Sequence, residues 1–256
     1  MACRLRTTWN HAVVTAVVTA MNVEIWSDVV CPWCYIGMRR FERAVASFGH
    51  PDEVTVTYRS FELDPDAPAQ RSGTHAEHLG RKYGMTVAEA EQAGQQMTER
   101  AAADGLEFRF DLLRGGNTFD AHRLLHLAND HGLQPELKER LLRATFTEGL
   151  PIADQATLVR LATEVGLPAA QVQAVLDGDA YADAVRADER QAARYGINGV
   201  PFFVADGKYA VNGAQPPEVL LQFLQRAYDD ANQLTPVAAT AGGNSEASCD
   251  GDSCAI

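Results

Sequence analysis

Between Cys34 and Cys249 the chain has no cysteine, so no disulfide framework braces the body of the fold. Its five cysteines fall near the ends: Cys3 alone, Cys31 with Cys34, and Cys249 with Cys254. Two tight pairs and a singleton point to reactive or ligating roles rather than to structural staples. No apolar run reaches the roughly 18 residues that a membrane-spanning helix needs. Basic residues are scarce, 22 Lys and Arg against 34 Asp and Glu, for a net charge of −12. An anionic surface repels phosphate backbones, which argues against nucleic acid as a partner. Internal repeats are absent as well. What the chain does have is length and apolar content. With 256 residues, 46% of them hydrophobic, it can bury a core without metals or crosslinks.

Residues 1–21 stand apart. Arg4 and Arg6 precede an apolar stretch from Ala12 to Val18, and Val18-Thr19-Ala20 offers a small-residue cleavage site, the outline of a signal peptide. The stretch is short, contains Thr15 and has no Leu or Phe. The reading adopted is therefore an extension ahead of a start at Met21, and a cytoplasmic protein. Export of the chain is the alternative.

From Asn22 the pattern becomes regular. Residues 22–27 read as a strand, and a helix starts near Pro32, where the missing N–H of proline is no loss. Apolar residues recur through Trp33, Ile36, Phe41, Val45 and Phe48 until Gly49 and Pro51 stop the helix. Val54 to Tyr58 alternate as a second strand, which predicts a parallel β-α-β unit. From 74 to 195 nearly every segment shows helical spacing (74–83, 86–103, 118–131, 135–148, 154–165, 168–176 and 179–195), and Thr86 with Glu89 forms a capping pattern. A block of that size is too long for a loop. Strand character returns at 201–205. Asp206-Gly207 turns the chain, 208–211 form the returning strand, and a last helix opens at Pro216 with Val219, Leu220, Phe223, Leu224 and Ala227 on its apolar face. The segment 231–256 has few large apolar side chains and reads as a flexible tail. The expected fold class is α/β: a thioredoxin-like domain in two halves, 22–73 and 196–230, around an inserted all-helical subdomain, 74–195.

The chemistry centres on Cys31-Pro32-Trp33-Cys34. A thiol exchanges disulfides as the thiolate, and a cysteine just before a helix meets unpaired backbone N–H groups and the positive end of the helix dipole. Cys34, one turn later, can resolve a mixed disulfide. Pro32 sets the helix start, and Trp33 adds apolar surface beside the pair. The competing reading of this spacing is half of a zinc site. It needs two more ligands, and nothing ties His75/His78 or His122/His126 to Cys31, so no metal is expected. Asp28, three residues before Cys31, is a candidate helix cap or proton relay, with a plain turn residue as the alternative.

The stretch Trp26-Ser27-Asp28-Val29-Val30-Cys31-Pro32-Trp33-Cys34-Tyr35-Ile36-Gly37 resembles the active site of the DsbA-like FrnE family of thioredoxin-fold oxidoreductases. Three further stretches agree with it: Arg59 to Pro65, Asn117 to Leu124, and Gly196 to Phe203. The resemblance implies a thioredoxin fold with a helical insertion and a cis peptide between Val200 and Pro201 facing the cysteine pair. Trp33, Val200 and Pro201 would then bind substrate, the Val200 backbone pairing with it in strand fashion. Asn117, His122 and Arg123 match the family pattern and are read as packing and hydrogen-bonding residues. In the tail, Cys249 and Cys254 are candidates for an auxiliary redox pair, with idle thiols and metal capture as the alternatives. Asp250 and Asp252 disfavour the thiolate there.

The expected function is thus that of a thiol–disulfide oxidoreductase or isomerase acting on protein thiols and disulfides. It needs no cofactor beyond the cysteine pair and is recycled by a thioredoxin or by glutathione. Two rivals remain at this point. One is a glutathione-dependent isomerase or transferase of the 2-hydroxychromene-2-carboxylate isomerase and kappa type, which uses Ser in place of the first Cys. The other is a non-enzymatic holdase chaperone.

Overall fold

The computed structural model describes residues 20–232 apart from Gln70. Strand β1 (Met21–Ser27) leads into helix α1 (Pro32–Ser47), a single 3-10 turn and strand β2 (Val54–Ser60). Seven helices follow: α2 (His75–Tyr83), α3 (Val87–Ala103), α4 (Phe119–Asp130), α5 (Gln134–Phe146), α6 (Gln155–Glu164), α7 (Ala169–Asp177) and α8 (Ala182–Arg194). Strands β3 (Phe202–Ala205) and β4 (Tyr209–Asn212) and helix α9 (Pro217–Ala231) close the described chain.

The four strands form one sheet in the order β2-β1-β3-β4. β1 and β2 are parallel, as the β-α-β reading predicts, while β3 and β4 run antiparallel to their neighbours. Alternation along the strands sorts side chains to two faces. Val23, Ile25, Tyr58, Phe203 and Ala205 pack with Ile36, Phe41, Ala44 and Phe48 of α1 and Leu220, Phe223, Leu224 and Ala227 of α9. On the opposite face Trp26 and Val204 meet Ala192 and Ile197, and the indole N–H of Trp26 donates to the Asp188 carbonyl at 3.0 Å.

The helical insertion between β2 and β3 has its own apolar cluster, built from α4 to α7 around Leu124, Leu141, Leu158 and Val172. It is nevertheless joined to the rest through α5, whose Leu137, Leu141 and Ala144 belong to that cluster while Leu142 and Phe146 belong to the sheet's core. A third side of α5 serves β2, which has no strand on its outer edge among the described residues. Gln134 accepts the Tyr58 N–H at 2.8 Å through Oε1 and donates to the Tyr58 carbonyl at 3.0 Å through Nε2. Asp188 accepts the Ser60 N–H at 2.9 Å. Side chains thus stand in for the missing strand and block the edge.

Local chemistry explains most element ends. The expected capping pair Thr86/Glu89 forms a full capping box, and Thr74/Glu77 forms another. Several details differ from the sequence reading. Met21 belongs to the sheet rather than to the preceding extension: it is buried and pairs with Val54. β2 runs two residues past Tyr58, to Ser60, because Asp188 satisfies its last amide. α5 ends at Phe146 ahead of a left-handed Gly149, and α8 starts only at Ala182 because Tyr181 adopts φ of 63°. In α9 Pro216 is the N-cap rather than the first helical residue, and Val219, expected on the apolar face, is 39% exposed.

Replacing Gln134 by Leu keeps the volume but strands the N–H and C=O of Tyr58 in a buried setting. An orphaned pair of this kind costs on the order of 2 kcal/mol. For a domain of this size that lowers the melting temperature by about 4–8 °C. Thermal unfolding of Gln134→Leu beside wild type measures it, and an unchanged melting point would show that the edge amides find other partners.

Candidate active site

Cys31 is the N-cap of α1, with φ −96° and ψ 113°, and Pro32 occupies the first helical position. The Cys34 N–H donates to the Cys31 carbonyl at 3.1 Å, which folds the two cysteines into the opening turn. Both are free thiols and both are buried. Cys31 lies next to the amides of the first helical turn, the donors that no helical carbonyl satisfies. Its thiol also donates to the Val200 carbonyl at 3.5 Å.

The Val200–Pro201 peptide is cis. Its loop packs closely on α1, and the contact depends on Gly37. A Cβ at that position would lie 2.8 Å from Pro201 Cγ and 3.4 Å from Ala214 Cβ, so a side chain would push the loop away from the cysteines. The Pro201 carbonyl accepts the Gly213 N–H at 2.8 Å. Between α1 and this loop runs a groove of about 280 Å³ lined by Trp33, Val200, Pro201, Gly213 and Ala214. The three residues expected to meet substrate thus line one groove. A larger hollow of about 490 Å³ on the insertion, beside α2, shares none of these residues.

Behind the pair lies a buried polar centre. Asp28 is fully buried; its Oδ1 accepts the Val29 N–H at 2.7 Å and contacts His122 Nε2 at 3.2 Å, and its Oδ2 accepts the Leu63 N–H at 2.8 Å. All its partners lie outside α1, so the expectation that it caps that helix is corrected. The local reason is that Cys31 itself takes the N-cap position. Burial works against the carboxylate, yet the hydrogen bond and charge of His122, the Leu63 amide and the charge of Lys138 together hold Asp28 below the usual carboxylate range. His122 therefore does more than pack, and it approaches the cysteine pair from α4 through Asp28. Its helix neighbour His126 goes elsewhere, to Asp188 Oδ2 at 3.1 Å, so the two rings are not paired toward Cys31. Arg123 is structural: it donates to the carbonyls of Ala180, Gly178 and Val175 and so satisfies the end of α7. Asn117 ties its loop to Pro65 and caps the Phe119 amide.

Lys138 was not foreseen. It projects from α5 and is 1% exposed, with its ammonium 5.8 Å from the Tyr58 ring centroid and no hydrogen-bonding partner among the described residues. Burial pulls its pKa down, against the opposing pull of Cys34, Asp28 and Cys31. Burial and the neighbouring Cys31 push the Cys34 thiol well above its ordinary value, while Lys138 and the Asp28 backbone draw it down. In sequence, Lys138 sits in Leu137-Lys138-Glu139-Arg140, which reads as a solvated helix face. Glu62 was also missed. Its side chain is buried, Arg186 donates to it at 2.6 Å, and burial pushes its carboxyl up to about 7 against the pull of Arg186, with Glu189 adding to the rise. Cys249 and Cys254 lie outside the described residues.

A family model for the DsbA-like thioredoxin domain matches residues 22–225. The chain belongs to the DsbA-like thioredoxin family. It carries that family's fold with a helical insertion, and its class is that of the thiol–disulfide oxidoreductases. A solved structure of a probable DsbA oxidoreductase from Streptomyces coelicolor is 45% identical, with a TM-score of 0.80 over 90% of this chain and all of that one. An uncharacterized protein of Bacillus subtilis is 27% identical over 78% of this chain and 93% of its own length. A cytosolic disulfide reductase from Pseudomonas aeruginosa, solved with glutathione, is 18% identical with a TM-score of 0.57, covering 80% of this chain and 98% of that one, a likeness of fold alone.

This DsbA-like site makes a specific demand of Lys138. Lys138→Met removes a charge that favours the Cys34 thiolate, so at a given pH less Cys34 is ionised and, if Cys34 resolves the mixed disulfide, that resolving step slows. The slowing is about tenfold if the ionisation of Cys34 moves one pH unit upward. The rate profile of that step moves to higher pH, as read from the lifetime of a mixed disulfide with a peptide thiol. Stability moves the other way. Because the folded-state pKa of Lys138 is lowered, the ammonium costs stability below that value, and the cost fades as pH rises toward the ordinary 10.5. Lys138→Met should therefore melt above wild type at neutral pH, with the gap closing in alkali. A resolving step with an unchanged pH profile would remove Lys138 from the chemistry.

Proposed function

We propose that this protein is an oxidoreductase or isomerase of the FrnE type acting on protein disulfides, with Cys31 attacking and Cys34 resolving. The observation that carries the reading is the unequal setting of two thiols in one helical turn: Cys31 at the helix N-cap beside the substrate groove, Cys34 sealed behind it and held as a thiol. The Cys31 thiolate attacks one sulfur of a substrate disulfide, forming a mixed disulfide and releasing the other sulfur as a thiolate. Cys34 then loses its proton, taken up in the end by the departing substrate sulfur, and attacks Cys31; the Asp28 carboxylate, held below the usual range, is too weak a base to keep that proton. The Cys31–Cys34 disulfide forms and the second substrate thiolate leaves. His122 orients Asp28, and Lys138 offsets the negative charge that gathers as Cys34 ionises. The backbone of Val200 beside the groove suits pairing with an extended substrate chain.

Reduction of the oxidised pair by a thioredoxin or by glutathione completes the cycle; the bound glutathione of the Pseudomonas reductase supports the second source. The tail cysteines Cys249 and Cys254 enter this reading as an auxiliary dithiol that takes the disulfide over from Cys31–Cys34, becoming the Cys249–Cys254 disulfide as the active pair returns to thiols, before the recycling reductant reduces it in turn. A redox pair with both cysteines in place also favours this chemistry over the Ser-dependent isomerase group.

In the reduced full chain, iodoacetamide at mildly acidic pH is expected to label Cys31 well ahead of Cys34, and Cys34→Ser to accumulate a mixed disulfide at Cys31. Mass mapping under gentle oxidation with acid quenching is expected to show transient links from Cys31 to Cys249 or Cys254. Faster labelling of Cys34 would reverse the assigned roles. If removal of residues 240–256 leaves turnover unchanged and no such links appear, the tail has no part in the cycle.

A further inference from the structure

The rim of the groove carries positive charge on a chain that is otherwise strongly acidic. Arg40 and Arg43 of α1 both pair with Asp104 at the end of α3, at 2.8 and 2.9 Å, one to each carboxylate oxygen. Arg40 also donates to the Ala214 carbonyl at 2.7 Å and so braces a wall of the groove. Both oxygens of Asp104 are thereby engaged. Arg100, one helical turn before it on α3, is left exposed, with no carboxylate within ion-pair distance among the described residues. Its guanidinium lies 5.6 Å from the centroid of the Trp33 ring, inside the Cys31–Cys34 motif. Trp33 in turn lines the groove. Stacking on an aromatic face holds a planar guanidinium in place, and its fork of donors matches a carboxylate.

We propose that Arg100 recognises a carboxylate beside the reacting disulfide, so that the groove selects acidic, peptide-sized disulfide substrates. This inference rests on the oxidoreductase reading above and adds a substrate class to it. The apolar walls of Trp33, Val200, Pro201 and Ala214 take the stem next to the substrate sulfur. A neighbouring residue lies about 3.8 Å along the chain, within reach of a cation on the Trp33 face. The net charge of −12 opposes this selection only at long range. Long-range repulsion works against acidic partners in general, whereas at physiological salt the Debye length is about 8 Å and only the local guanidinium is felt.

The test uses the reduced full-length protein and matched peptide disulfides whose cysteine is flanked by Glu, Gln or Lys, with oxidised glutathione, a small disulfide with two carboxylates on each half, as a further arm. At about 0.15 M salt the Glu-flanked peptide should exchange about fivefold faster than the Gln-flanked one, the size of a good exposed ion pair. The ratio should shrink toward one near 1 M salt, where the screening length is about 3 Å. Arg100→Gln should erase it, Arg100→Lys should keep part of it, and Arg100→Glu should turn the preference toward Lys. Loss of preference with both the Glu peptide and glutathione in Arg100→Gln identifies a general carboxylate site, and loss with one alone identifies the natural source. A wild-type ratio of one, or a ratio that Arg100→Gln does not change, overturns the proposal. If no disulfide is exchanged at all, the redox reading falls and takes this inference with it, an outcome distinct from exchange without preference.

Discussion

Asp28 and Lys138 are held away from water behind a pair of thiols, and the placement of the surrounding elements follows from keeping them there. Each charge alone would be costly to bury. The cost is offset by contributions from separate parts of the chain: backbone amides of Val29 and Leu63, the ring of His122 from α4, and the cation of Lys138 from α5. The helical insertion is therefore not an ornament on a thioredoxin core. It supplies half of the electrostatics on which the cysteine pair relies, and it docks against the open edge of β2 to do so.

Much of this was legible in the sequence, for identifiable reasons. Cys31-Pro32-Trp33-Cys34 between a strand and a helix is a local signal, and the capping box at Thr86 and Glu89 is complete within four residues. The order of strands and helices follows from periodicity, and the chain has the family's fold with its insertion. Lys138 and Gln134 were illegible because their meaning is tertiary. On a helix containing Glu136, Glu139, Arg140 and Arg143 they look like two more solvated polar positions. Only the approach of α5 to Tyr58 buries them. His122 was visible as part of a motif, but its role depends on Asp28, 94 residues away. Tyr181 illustrates a smaller failure, since a left-handed backbone at a bulky residue leaves no trace in hydrophobic spacing.

The geometry also separates two tasks that a redox enzyme must combine. In the proposed reading, substrate contact falls to the loop at Val200 and Pro201, to Trp33 and to Arg100 on the Trp33 face. Behind the pair sit the buried charges of Asp28 and Lys138, with His122 on Asp28, all sealed from solvent. Gly37 marks the seam between the two, where the absence of a side chain lets the loop approach the helix. Changes at the mouth alter which disulfide is chosen, while changes behind the pair alter how readily Cys34 ionises and hence the balance between reduced and oxidised forms, where about 30 mV corresponds to 1.4 kcal/mol.

Helix α5 gives the protein a particular kind of cooperativity. Gln134, Lys138 and Leu142 recur at every fourth position, so one stripe about 12 Å long touches in turn the strand edge, the redox centre and the apolar core. A fluctuation that lifts this helix unpairs Tyr58, hydrates the ammonium and opens the core in a single event. The amides of β2 and α5 then exchange with solvent hydrogen through one shared opening, as one folding unit. The reactivity of the thiols becomes a reporter of global folding: a partly open molecule loses the tuned ionisation of Cys34 before it loses its cysteines.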